Sequence, residues 1–139
     1  MLKDLIEQGF GKEEDLNCAE TILYGSNKVY KLGLSKECLR LAAAFGGGMG
    51  TENVCGVVTG SLMVISHLFV ENVAHQNPEI KEMCKELFKI FQEELGNFDC
   101  KPLKDEYRTE EKKCYDVILK GAEILDKFIA VEKKKRGWV

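Results

Sequence analysis

The stretch Val54-Cys55-Gly56-Val57-Val58-Thr59-Gly60-Ser61-Leu62-Met63-Val64-Ile65-Ser66-His67-Leu68-Phe69-Val70 carries no Asp, Glu, Lys or Arg over 17 residues. At about 1.5 Å per residue, a helical run of that length reaches the lower edge of what spans a bilayer. Its small and polar members, Gly56, Thr59, Gly60, Ser61, Ser66 and His67, argue against lipid. They fit a helix covered on most sides by other helices, with His67 as a hydrogen-bonded core residue. Gly56 and Gly60 lie four apart on one face, where a second backbone or a bound group can come close. Close helix packing is the commoner use of that spacing.

The sequence on either side supplies the helices that would cover this one. A short helix over Leu2 to Gln8 ends at Gly9. Asn17 followed three places later by Glu20 has the form of a capping box, so the next helix starts at Cys18 and runs to about Lys31, with Gly33 ending it. Ser35 caps another that reaches Phe45. Beyond the polar connection at Asn77-Pro78, residues Ile80, Met83, Cys84, Leu87, Phe88, Phe91 and Leu95 repeat at three-and-four spacing, and Gly96 closes that helix. Residues Asn97 to Glu106 read as a loop. A last helix starts near Thr109 and buries Cys114, Val117, Ile118, Gly121, Ile124, Leu125 and Phe128. The expected fold is all-α, a compact bundle of about five helices with a glycine-rich loop before a central apolar helix. No repeat or linker divides residues 1–139, which read as a single helical domain.

Composition narrows the function. A chain of 139 residues can build a core without staples and fold alone or as a homo-oligomer. The balance of 20 basic and 23 acidic residues, net charge −3, argues against nucleic acid as a partner. The one basic cluster, Lys133-Lys134-Lys135-Arg136, reads as a solvated helix end whose cations suit the C-terminal dipole. Met1 to Glu7 carries acids and lacks the apolar region of a signal peptide, so the expected compartment is a reducing cytoplasm. Disulfides there are functional rather than structural. Phe45-Gly46-Gly47-Gly48-Met49-Gly50 lacks the Gly-Lys-Ser/Thr ending of a phosphate loop.

Six cysteines remain to be explained. Cys55 stands where the glycine stretch gives way to the apolar helix, and Cys18 opens the helix capped by Asn17. Unpaired N–H groups and the positive end of a helix dipole lower a thiol pKa at such positions. Cys100 lies in the predicted loop, able to approach another sulfur, and Cys114 points to the core early in the last helix. Cys38, beside Leu41 and Ala42, and Cys84, beside Leu87 and Phe88, read as core packing. The spacing of the first four, with gaps of 37, 45 and 14 positions, matches no zinc-finger or ferredoxin template.

The order Asn17-Cys18-Ala19-Glu20, the glycine stretch 45–50, Val54-Cys55-Gly56-Val57-Val58-Thr59-Gly60, Asn97-Phe98-Asp99-Cys100 and a last Cys114 resembles the redox-active protein family named for its C_GCAxxG_C_C pattern. The resemblance runs from about Asp15 to Leu125. Val57 departs from it, standing where the pattern has Ala. The resemblance implies that Cys18, Cys55, Cys100 and Cys114 are the hallmark cysteines and that they converge in a helical domain. It also implies redox activity and a functional link to a membrane transporter, since members are often encoded beside one.

Convergent thiols permit two chemistries. Cysteine pairs can cycle between dithiol and disulfide with a redox partner that the sequence does not identify. Alternatively, Cys18, Cys55, Cys100 and Cys114 can hold an iron–sulfur cluster or a zinc ion, with N–H groups from Gly46, Gly47, Gly48, Gly50 and Gly56 surrounding the sulfurs. A third reading is a helical interaction module with inert cysteines. Glu52 and Asp99 flank the candidate thiols and His75 falls in a polar connection; all three read as solvated.

Overall fold

A computed structural model describes residues 1–138. The helices are α1 (Leu2–Glu7), α2 (Cys18–Val29), α3 (Lys36–Leu39), α4 (Gly56–Phe69), α5 (Glu79–Leu95), α6 (Cys100–Tyr107) and α7 (Tyr115–Lys135). The class is all-α as expected, but the described residues hold seven α-helices rather than about five. Short 3-10 segments cover Arg40–Phe45 and Ala74–Gln76, and two isolated bridges, Val54 with Asp99 and Thr109 with Lys113, are the only β pairing among the described residues.

The core forms around α4, as its lack of charge demands. Val57, Val58, Val64 and Ile65 are fully buried, and α2 makes the most extensive contact with this helix. Glycine permits that approach: a Cβ on Gly60 would stand 2.9 Å from the carbonyl oxygen of Ala19. On the other side of α4, a Cβ on Gly121 would collide with Cγ1 of Val57, so α7 packs directly on the residue that departs from the family pattern. Leu87 and Phe91 of α5 and Ile124, Leu125 and Ile129 of α7 complete the apolar interior. His67 is exposed, not a core residue, because it lies on the face of α4 turned away from these neighbours.

Local signals act where the sequence puts them. Asn17 Oδ1 accepts from Glu20 N at 2.9 Å while Glu20 Oε1 accepts from Asn17 N at 2.9 Å, which closes the capping box of α2. Ser35 Oγ accepts from Cys38 N at 3.2 Å. At the start of α1, Asp126 of α7 accepts from Leu2 N and Lys3 N at 3.1 and 3.0 Å and also from the Tyr30 hydroxyl. A carboxylate from one helix thus satisfies the orphan donors of another.

Two expectations fail here for geometric reasons. Residues Asn97 to Glu106 are not a loop throughout, because α6 begins at Cys100. Pro102 is compatible with that helix because it occupies the first turn, where no intrahelical N–H is needed. Cys38 is exposed and Leu41 is 72% exposed, so the core stripe assigned to them does not exist. Helix α3 lasts one turn and buries only Leu39, leaving Cys38 outside, and the 3-10 segment that follows buries only Ala42 and leaves Leu41 outside.

The basic C-terminal cluster is also not a uniformly solvated end. The Arg136 guanidinium lies 4.8 Å from the Phe69 ring centroid and 5.5 Å from that of Trp138, and its Nε donates to Glu132 at 3.0 Å. Lys133 sits over Tyr30 at 5.5 Å. Arg136→Ala is expected to lower unfolding free energy by about 1–2 kcal/mol, with Arg136→Lys recovering only part because a compact ammonium lacks the planar guanidinium that lies against the stacked Phe69–Trp138 pair. Chemical denaturation of the two variants checks this.

Candidate functional site

Each of Cys18, Cys55, Cys100 and Cys114 stands at a helix N-terminus: Cys18 and Cys100 are the first residues of α2 and α6, and Cys55 and Cys114 are the N-caps of α4 and α7. Cys55 and Cys100 are stitched side by side. Cys55 N donates to Phe98 O at 2.8 Å and Cys100 N donates to Asn53 O at 2.5 Å, across the Val54–Asp99 bridge. Two helices far apart in sequence therefore start from one short double-stranded step, with their positive ends together.

Helix α2 brings Cys18 to the same place. Asn17 Nδ2 donates to Ala43 O at 2.9 Å, which ties the segment before the glycines to the start of α2. Gly46 packs so tightly on the Asn17 side chain that a Cβ there has no room. Gly47 then takes a left-handed conformation, φ 63° and ψ 31°, which turns its N–H toward Cys18 Sγ. Gly56 presents its N–H to the same sulfur from α4, and a Cβ at Gly56 would collide with Cys18 Sγ. Gly48 is buried, with a would-be Cβ 2.7 Å from Cys100 Cβ. Gly50 has open space around it and is not among the residues that line the cavity.

The result is a cavity of about 410 Å³ lined by all four cysteines, with Leu16, Leu103, Val117 and Ile118 as apolar wall and Lys104, Arg108 and Lys113 as cations. A second cavity of about 410 Å³, mostly apolar and holding Ile6 and Phe10, shares Leu16, Lys113, Cys114 and Ile118 with the first. Cys55 and Cys100 are buried, at 7% and 6% exposure, while Cys18 and Cys114 are half-buried. All six cysteines are free thiols.

The sulfurs differ electronically. The neighbouring Cys55 thiol first, and then N–H groups of Gly47, Ala19 and Gly56, hold the Cys18 pKa down to about 6 against burial. Cys55 is pushed up, first by its Cys18 neighbour, then by burial, and further by the Cys18 and Cys100 charges. The two sulfurs titrate as a pair, and their surroundings favour the charge on Cys18 and the proton on Cys55. The helix-start argument alone assigned the reactive position equally to Cys55, and the contact between the two sulfurs reverses it there. Burial raises the Cys100 pKa, Lys104 opposes this, and Cys18, Cys114 and Glu52 add to it. Arg108 Nη1 donates to Cys114 Sγ at 3.4 Å.

Residues absent from the sequence reading are the three cations. Lys104 follows Cys100 by one helical turn and Lys113 precedes Cys114 directly, so both were within reach of a local argument. Arg108 was not: the Thr109–Lys113 bridge, closed by Thr109 N to Lys113 O at 3.2 Å and Lys113 N to Thr109 O at 2.8 Å, folds it back over Cys114. That turn also delays the last helix from the expected Thr109 to Tyr115. Glu52 is not simply solvated, since its carboxylate lies 3.0 Å from Lys104 Nζ.

Soft thiolates are the donor set that zinc or an iron–sulfur cluster requires. Among the described residues, however, no group of three or more His, Cys, Asp or Glu side chains is spaced to hold a metal ion.

Fold and site together define an all-helical thiol protein with four cysteines around one pocket. Residues 16–128 match the family described as "Putative redox-active protein (C_GCAxxG_C_C)", and the chain belongs to that family. Comparison with curated proteins found no match, and comparison with solved structures found none. No helix among the described residues is long and apolar enough to cross a membrane.

Proposed function

We propose that this protein is a thiol–disulfide exchange protein in which Cys18 is the nucleophile and Cys55 the resolving thiol. The observation that carries the reading is the meeting of four cysteines, each at a helix N-terminus, around one cavity; the pKa of Cys18 is lowered there and that of Cys55 raised, which favours Cys18 as the attacking sulfur. Cys18 thiolate attacks a disulfide R–S–S–R, forming Cys18–S–S–R and expelling one R–S⁻. Cys55 then gives its proton to solvent or to that thiolate and attacks Cys18 Sγ. The second R–S⁻ leaves and a Cys18–Cys55 disulfide remains. The protein dithiol loses two electrons and the substrate disulfide gains them. The N–H groups of Gly47 and Gly56 stabilise the thiolate before attack and the sulfur as it departs from the mixed disulfide. Cys100 and Cys114 line the same cavity and stand ready to accept the disulfide by a further exchange.

Stoichiometry tests this. With Cys38, Cys100 and Cys114 replaced by Ser, so that neither the exposed thiol nor onward exchange contributes, the protein is expected to release two thiols per chain from a small disulfide. Adding Cys55→Ser in that background is expected to release one and retain the other half as an adduct on Cys18, read by intact mass and peptide mapping. Two thiols from the Cys55→Ser protein, or an adduct on another cysteine, would rule out this pairing.

A further inference from the structure

The thiol pocket is electropositive in a protein of net charge −3. Lys104, Arg108 and Lys113 line it, and the lining residues include no carboxylate. Lys104 is partly neutralised by Glu52 at 3.0 Å, whereas Arg108 and Lys113 are in no ion pair among the described residues. Both are exposed, on opposite arms of the turn that leads from α6 into α7. Four helix N-termini point their partial positive charges into the same space.

More positive charge is present than the sulfurs need. Cys18 is already held by N–H donors and the Cys55 thiol, and of the two free cations only Arg108 reaches a sulfur, that of Cys114. A cavity of about 410 Å³ is the size of a small-molecule site. A guanidinium and an ammonium at its rim suit a carboxylate or similar oxyanion, the first by a fork of donors and the second as a point charge.

We propose that the substrate is a small anionic disulfide, carrying carboxylate or comparable oxyanion groups near its sulfurs, which Arg108 and Lys113 hold while Cys18 attacks. This rests on the exchange reading above and adds the substrate class. The bond changes are those already given: one substrate S–S bond is replaced by one protein S–S bond and two anionic thiolates leave. Arg108 and Lys113 are positioning residues that touch the anionic group and not the reacting sulfurs.

Two aromatic disulfides provide the test, dianionic dithiobis(nitrobenzoate) and uncharged dithiodipyridine, used on full-length protein with Cys38→Ser to remove the exposed thiol. Each rate is divided by the rate with free mercaptoethanol, and the attacked cysteine is identified by mapping. The normalised rate with the dianion is expected to exceed that with the neutral probe by about tenfold at low salt, within the range that a charged cleft produces. The excess is expected to shrink as ionic strength rises. Arg108→Gln and Lys113→Gln are each expected to lower the ratio of dianion to neutral rate severalfold, while Lys113→Arg retains the preference. Both side chains are exposed, and far-UV circular dichroism checks that each variant is folded. Equal normalised rates at Cys18, or a preference insensitive to both substitutions, would overturn the substrate class and leave the exchange reading standing. Failure of both probes to react at Cys18 would overturn both.

Discussion

Alkylation of Cys18 is expected to follow a titration with a midpoint near pH 6, and Cys55→Ala is expected to move that midpoint up toward the ordinary thiol value of 9.0. The neighbouring Cys55 thiol is the largest cause of the low value, so removing it leaves the Gly47, Ala19 and Gly56 N–H groups to oppose burial alone. Cys55→Ser, whose hydroxyl can still donate, is expected to shift the midpoint less. A rough estimate sets the size of the rate effect. At pH 6 an ordinary thiol is ionised to about one part in a thousand and Cys18 to about half. The lower basicity of Cys18 returns about thirtyfold of that gain through weaker nucleophilicity, leaving about a tenfold advantage.

The same shift links stability to pH. Cys18 ionises more readily folded than unfolded, so its contribution is fully present above pH 9.0 and is lost as pH falls through about 6. Cys55 works in the opposite sense: being pushed up, it contributes below the ordinary thiol value and loses that contribution as pH climbs past it. The stability of native protein relative to Cys18→Ser is therefore expected to grow between pH 6 and pH 9, read from denaturation midpoints at several pH values. A constant difference across that window would contradict a charge favoured on Cys18.

Gly56→Ala is expected to be the most damaging single-carbon change in the site. The new Cβ falls on Cys18 Sγ and also lies 3.0 Å from Ala19 N and 3.1 Å from Phe45 O, so backbone and sulfur crowd it together. Overpacking of this kind costs about 1–3 kcal/mol. Its distinguishing consequence is chemical: Cys18 is displaced from Cys55 and from the Gly56 N–H, and the low alkylation midpoint is lost. Gly121→Ala separates the two effects, because its Cβ meets Val57 Cγ1 in the seam of α4 and α7, away from the sulfur. It is expected to lower stability comparably while keeping the midpoint near pH 6. If Gly56→Ala retains the native midpoint, the close approach of α4 to Cys18 has no part in thiolate stabilisation.

Much of this architecture is written locally in the chain. The uncharged run of α4, the Asn17–Glu20 box and the left-handed Gly96 that ends α5 each act over a few residues, so their meaning survives without tertiary context. Helix α6 was obscured by Pro102 and by lysines, although a proline in the first turn is harmless. Leu41 lies outside because a 3-10 continuation of α3 alters which faces point inward, and Cys38 because α3 is a single turn that buries only Leu39; periodicity at 3.6 over a longer helix assumes both away. The four cysteines were legible as sulfurs at helix starts or in a connection. Which one is ionised was not, since that depends on a contact between residues 18 and 55. The cations at Arg108 and Lys113 depend likewise on a tertiary turn.

Reactivity and exposure point to different cysteines, and this gives the most direct test of the central claim. Cys38 is exposed, whereas Cys18 is half-buried in the pocket. Folded, reduced protein treated with substoichiometric iodoacetamide at neutral pH and mapped by mass spectrometry is predicted to carry the first label on Cys18. A first label on Cys38, with Cys18 modified only after unfolding, would contradict a thiolate at Cys18 and the exchange chemistry built on it.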